Sequence, residues 1–184
     1  IQAFFVPSIY MNSDTIGVIN DDYGMSITTV MTKPKSRGYV KLKSSNYKDN
    51  PEIELNLLKH KDDLKMMMAG QRFFLQALTS GPLSKKVKKI VIPNTENLND
   101  ENLEKHCRRF VRTNYHPSGT AKMGADNDKM SVLDSKLRVR GIDNLRVCDL
   151  SAMPNINSGN TSAPAMMLGL RCGDFLTDSS KSIK

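Results

Sequence analysis

The chain has 184 residues, 39% hydrophobic and 25% charged, with 11 Gly and 8 Pro, which suits one domain or two small ones with a real core and excludes a coiled coil, a collagen, a low-complexity polymer and a disordered chain. Lys and Arg number 27 against 19 Asp and Glu, a net charge of +8, but the basic residues fall mainly in two patches, 33–43 and 85–89, with acidic segments between them. No aromatic residue interleaves Lys85, Lys86, Lys88 and Lys89, so a solvated surface is expected rather than a nucleic-acid site, and the longest apolar run, 163–170, is broken by Pro164 and Gly169, so no membrane span is expected.

Residues 1–10 (IQAFFVPSIY) suit a short buried strand that ends at Pro7. The β-branched or alternating runs 26–31 (SITTVM) and 38–42 (GYVKL) follow, separated by the turn-prone segment from Lys33 to Gly38. With residues 52–57 they predict an antiparallel sheet. Leu64, Met67, Met68, Phe74, Leu75 and Leu78 lie close to helical spacing within residues 62–78, and Ser80-Gly81-Pro82 stops the helix. Met66, Met67 and Met68 on it read as core filler. A second helix opens at Asn99 or Asp100 and runs to about Thr113, with acidic residues in its first turn and Arg108, Arg109 and Arg112 near its end, as the helix dipole prefers.

The character of the sequence then changes. In residues 115–124 (YHPSGTAKMG) glycine, proline and hydroxyl residues surround a lone histidine, His116. Residues 145–148 read as a short buried strand, 149–159 as a loop, and 163–176 as a helix begun by Pro164 and capped from Thr161 or Ser162. Strand, loop and helix in that order are what α/β proteins use to hold a cofactor at a strand's carboxyl end. The three cysteines, Cys107, Cys148 and Cys172, form no C-x-x-C pair and cannot all pair in one chain, so no disulfide framework is expected, and their spacing with the histidines fits no zinc motif. No metal is expected. His116 is a candidate base because proline and glycine fix or free the backbone around it, although an isolated histidine is more often a hydrogen-bonded structural group. Asn160, between Gly159 and Thr161, is equally readable as a turn or cap residue.

Four ordered blocks carry a resemblance: HPSGTAKMG (116–124), VLDSKLRVRG (132–141), LRVCDLSAMP (145–154) and SGNTSAP (158–164). Together they resemble the carboxyl-terminal signature of the GMC (glucose-methanol-choline) flavin oxidoreductases, and the upstream KPKSRG (33–38) and NPEI (50–53) are similar to that family's substrate-domain strands. The nearest flavour is the arthropod branch of glucose dehydrogenases and ecdysone oxidases, which points outside the cell.

The resemblance implies an α+β / α/β fold: an antiparallel substrate-binding sheet with flanking helices, plus the returning strand and helix of a Rossmann-like FAD-binding domain. Residues 1–114 would be the substrate-binding portion, 115–176 the active-site loop with the returning strand and helix, and 177–184 a polar tail. It also implies FAD as cofactor, an alcohol as substrate, and oxygen or a quinone as electron acceptor. His116 would be the base that takes the hydroxyl proton, with Asn160 beside it orienting the substrate oxygen. Asp149, Leu150, Asn160 and Thr161 would contact the flavin.

One departure from the family pattern is large. No two of the eleven glycines are separated by two positions, so the G-x-G-x-x-G phosphate turn is missing. The chain is therefore expected to be the carboxyl-terminal part of a longer protein, with the amino-terminal FAD-binding portion as its partner and no FAD binding by itself. A lyase that keeps the fold without net redox, and a non-catalytic binding module, are the alternatives.

Overall fold

The computed structural model describes residues 1–9 and 23–181, which pack as two units. The first comprises Ile1–Gly38 and Leu55–Arg112, the second Tyr39–Glu54 and Thr113–Lys184.

In the first unit, β1 (Gln2–Val6) pairs antiparallel with β2 (Ser26–Val30), with Phe4 opposite Thr28. Tyr10, the last residue of the segment read for this strand, lies outside the described residues. The helix α1 (Lys61–Ser80) starts where the Nδ1 of His60 accepts the Asp62 N–H, and it buries Leu64 with Met67 and Met68 behind it. These residues meet Leu58 and, from α2 (Asp100–Phe110), Leu103 and Cys107. Core filling is thus the use made of two of the three clustered methionines, while Met66 stays exposed. The carbonyl of Asn99 accepts from Leu103, and its side chain accepts the Asn102 N–H at 2.9 Å, a cap that fixes where α2 begins. Glu101–Lys105 and Glu104–Arg108 pairs run along its solvent face. Gly70 is required where α1 crosses β2, because a Cβ there would lie 2.8 Å from Thr29 Cγ2.

Antiparallel pairing is present as predicted, but as two separate ladders rather than one sheet. The second is β3 (Tyr39–Lys41) with β4 (Glu52–Glu54), in the second unit. The reason lies in the connecting turn. Its backbone N–H groups at Lys35 and Ser36 donate to the two oxygens of Asp63, at 2.8 and 2.7 Å, instead of closing a hairpin. Asp63 is only 3% exposed.

The core of the second unit is Leu133, Leu137, Ala152 and Leu168, the last on α3 (Ser162–Lys181). Around it the chain forms turns and isolated bridges: Met123 with Leu133, Leu133 with Val139, and Arg138 with Arg146. Residues 145–148 make no regular ladder; that last bridge and the bonds Val139 N–H to Leu145 and Val147 N–H to Leu137 carry their pairing. The predicted helix 163–176 continues to Lys181, through residues read as the start of a polar tail; 182–184 lie outside the described residues. The expectation of no disulfide framework overlooked a single bridge, which joins Cys148 and Cys172 and leaves Cys107 free and buried. An odd count excludes complete pairing, not one bridge, and packing both against one core brings their Cα atoms to 6.0 Å.

Burial alone would raise the pKa of Asp63, but the hydrogen bonds from Ser36 and Lys35 outweigh it and hold the carboxyl below its ordinary value. A lowered carboxylate contributes stability above the usual range, and that contribution is lost as the pH falls through it. Asp63→Asn should therefore cost about 1–3 kcal/mol near neutral pH in urea unfolding. The gap from wild type should narrow as the pH falls below the ordinary carboxylate range.

Candidate active site

The loop carrying His116 is laid along the turn that follows Cys148. The N–H groups of Gly119, Ala121 and Met123 donate to the carbonyls of Leu150, Ser151 and Ala152, at 3.1, 3.0 and 2.8 Å. Gly119 can take part because its φ of +85° is open to glycine, and a Cβ there would press on the Met153 carbonyl oxygen at 3.1 Å. Beyond the ladder, Lys122 pairs with Asp128, and Arg140 reaches both Asp126 and the Gly124 carbonyl. The loop is anchored on its far side by charge as well as by backbone.

Immediately before His116, Tyr115 is held at φ 61°, a left-handed conformation that costs a residue with a side chain about 1–2 kcal/mol. Such outliers persist only where the surrounding structure over-determines them. His116 itself is half-buried, and its Nδ1 lies 2.8 Å from the hydroxyl oxygen of Thr161. Thr161 is 3% exposed, and its carbonyl accepts the Ala165 N–H, the first bond of α3.

Four of the five residues singled out in the sequence thus sit on three joined pieces. Asp149 and Leu150 form the turn under the loop, His116 is on the loop, and Thr161 opens α3 and meets His116 directly. Asn160, the fifth, is the exposed neighbour of Thr161, and no hydrogen bond ties its side chain among the described residues. No direct bond joins Asn160 to His116. The two are brought close through Thr161.

Asp149 is exposed and caps the 3₁₀ turn Leu150–Ala152, its Oδ1 accepting from the backbone and the hydroxyl of Ser151. The Ser151 hydroxyl and N–H together hold its carboxyl below the usual carboxylate range, so it is an acceptor at neutral pH. The Leu150 carbonyl is already taken by Gly119 and Met153.

Asn157 escaped the sequence reading. Its Nδ2 donates to the carbonyls of Gly159 and Asn160, at 3.0 and 3.1 Å, and so fixes the turn that presents Asn160. Its Oδ1 is buried with no partner among the described residues. Only the density of turn formers in 155–160 hinted at it. Ser151 was quoted within a motif, but nothing in the sequence marked it as the partner of Asp149.

A separate depression of about 260 Å³, lined in part by Asn94, Lys105, His106 and Arg109, belongs to the first unit and contains none of the predicted site residues. Among the described residues no group of three His, Cys, Asp or Glu could hold a metal ion, and no helix is long and apolar enough to cross a membrane.

The model of the GMC oxidoreductase carboxyl-terminal domain matches residues 34–169. The chain belongs to the GMC oxidoreductase family. Choline oxidase of Arthrobacter globiformis is 34% identical over 168 residues, which cover 90% of this chain and 31% of that protein. The FAD- and quinone-named glucose dehydrogenase of Drosophila pseudoobscura pseudoobscura is 34% identical over 155 residues, covering 81% of this chain and 25% of that protein. Among solved structures, formate oxidase of Aspergillus oryzae superposes with a TM-score of 0.83 at 27% identity, over 92% of this chain and 30% of that one. This GMC chain therefore spans a quarter to a third of the length of these relatives, and its mixed α and β architecture superposes on that part of formate oxidase.

Gly119→Ala should lower stability by about 1–3 kcal/mol in thermal unfolding, because it meets both a left-handed φ and the Met153 carbonyl. An unfolding temperature equal to that of wild type would mean that the loop is not held against the Met153 carbonyl.

Proposed function

We propose that this chain is the carboxyl-terminal part of an FAD-dependent oxidoreductase acting on the CH–OH group of an alcohol, with His116 as general base. The observation that carries the reading is the convergence of a half-buried His116, whose Nδ1 is engaged and whose Nε2 is open among the described residues, with the exposed Asn160 and the start of α3.

FAD, when bound, supplies the acceptor for the hydride that leaves the alcohol carbon. The residues present fit it. Asp149, ionised and exposed with its second oxygen open among the described residues, suits the ribityl hydroxyls as donors rather than the anionic pyrophosphate. The N–H groups at the start of α3 and the positive end of its dipole favour negative charge placed beyond them. The buried, unpartnered Oδ1 of Asn157 marks the Asn160 turn as a place where a further hydrogen-bond donor is wanted.

A histidine suits the proton transfer because its ordinary pKa lies near neutrality, so it takes up and releases a proton within one cycle. The amide of Asn160 donates to the substrate oxygen without competing for the proton. In this reading residues 1–114 serve the substrate side, residues 115–176 the flavin side, and 177–184 form a polar extension.

The partner of this part is the amino-terminal FAD-binding portion of the same protein, which would supply the missing phosphate turn. The open face of α3 supports this: Met166 and Leu170 are 67% and 70% exposed, and Gly169 and Gly173 have nothing within 4 Å of where a Cβ would stand. A helix with such a face is covered in a finished fold. Oxygen or a quinone would then accept the electrons.

Anaerobic bleaching of the flavin in the FAD-loaded full-length protein, screened with sugar, sterol, aromatic and amino alcohols, tests the reading. Wild type should bleach with one of these classes, and His116→Ala should bleach about 100-fold or more slowly. Bleaching of His116→Ala at the wild-type rate would overturn His116 as base. Alcohol cleavage without bleaching would put a lyase in place of the oxidoreductase.

A further inference from the structure

The last residue before a helix normally turns a threonine hydroxyl back onto the backbone N–H of the second or third helical residue. Thr161 occupies that place before α3, but the third helical residue is Pro164, which has no N–H. The Thr161 hydroxyl forms no such cap among the described residues. It lies instead 2.8 Å from Nδ1 of His116, in a residue 3% exposed. A buried hydroxyl freed from its usual duty and aimed at one ring nitrogen of the candidate base has a chemical consequence.

We infer that Thr161 is a positioning residue for His116: its hydroxyl oxygen accepts a hydrogen bond from Nδ1–H, so that Nε2 is the nitrogen presented to the substrate hydroxyl. The inference rests on the proposed role of His116 as base.

A neutral imidazole carries its proton on one nitrogen and accepts with the other. For Nε2 to take the substrate proton, Nδ1 must already hold one, and that N–H needs an acceptor in a half-buried site. After the transfer both ring nitrogens are donors, and the Nδ1–H bond to Thr161 is unchanged. The proton moves from the alcohol oxygen to Nε2, and no bond to Thr161 forms or breaks. A hydroxyl also adds no charge beside the imidazole, whereas a carboxylate there would favour its protonated form. Without the contact the ring is free to turn about its side-chain torsions, since the backbone ladder and the ion pairs of the loop hold the chain and not the imidazole.

The test uses the FAD-loaded full-length protein as wild type, Thr161→Val, Thr161→Ser and His116→Ala. Thr161→Val keeps the shape and removes the hydroxyl. Its kcat for anaerobic flavin reduction should fall about 10-fold or more with KM changed by less than about threefold, because the geometry of transfer is lost and not the binding of alcohol. Thr161→Ser should return to within about threefold of wild type. Nitrogen-15 NMR of labelled histidine, assigned by its loss in His116→Ala, should show Nδ1 protonated in the neutral wild-type ring and a mixture of tautomers in Thr161→Val.

If His116→Ala is slow but Thr161→Val reduces flavin at the wild-type rate, this inference fails and the base assignment stands. If His116→Ala is itself at the wild-type rate, the functional reading fails and takes the inference with it. If Thr161→Val does not fold or does not hold FAD, the wild-type NMR and Thr161→Ser decide: a neutral ring protonated on Nε2, or no rescue by serine, overturns the inference.

Discussion

Everything proposed for this site depends on three backbone hydrogen bonds, from Gly119, Ala121 and Met123 to Leu150, Ser151 and Ala152. They join the only loop that carries His116 to the only turn that carries Asp149, two segments that share no regular sheet. Each bond contributes about 0.5–1.5 kcal/mol net, a modest sum beside the cost of ordering a loop. Their main effect is positional. Side-chain packing below them fixes where the pair lies, because Ala152 is wholly buried against Leu133, Leu137 and Leu168, and Met123 and Met153 close over the same cluster. The same small core therefore supports the loop, the turn and α3. Gly119 is the position where this arrangement tolerates least change, since the loop turns through a conformation that side chains avoid while nearly touching the opposite carbonyl.

The second unit is built differently from the first, and the difference bears on function. The first buries its apolar residues through two amphipathic helices, with ion pairs on the solvent face of α2, and a buried carboxylate, Asp63, ties its turn down. The second has one long helix and a set of turns held by side chains that reach back to the backbone. Asp134 accepts the N–H groups of Lys136 and Arg138, Asp149 that of Ser151, and Asn157 donates to two carbonyls of the Asn160 turn. Turns fixed in this way place side chains rigidly without burying them. Such turns suit the proposed function, in which this face meets a flavin.

How much of this was legible in the sequence depended on whether the signal was local. The helices α1 and α2 were readable from periodicity and caps, since Asn99 and the acidic residues after it act within one turn of themselves. The strands were readable as strands, but not their partners. Whether residues 26–31 and 38–42 share a sheet was decided by Asp63, more than twenty-five positions from the turn it captures. Residues 145–148 (LRVC) read as a strand before a loop and a helix, yet among the described residues only Arg146 of them takes part in a bridge. The site residues came from motif blocks and not from periodicity, and the blocks could not say how the residues meet. Thr161 read as a cap or flavin contact, and the clue that its hydroxyl is spare was Pro164, present in the sequence but silent until the histidine stood opposite it. Asn157 gave no signal beyond the turn formers around it, because a turn asparagine looks the same whether it faces solvent or holds a neighbour. The bridge between Cys148 and Cys172 was hidden by the odd cysteine count.

The proposed function requires that a loop, a turn and a helix start converge so that His116 and Asn160 face one cofactor together. A crystal structure of the full-length protein with FAD bound tests this most directly. Nε2 of His116 and the side-chain amide of Asn160 should lie on the same side of the isoalloxazine ring, within reach of a substrate oxygen placed over its N5, with Asp149 against the ribityl chain. A flavin lying elsewhere, or His116 and Asn160 directed away from it, would rule out the proposed site.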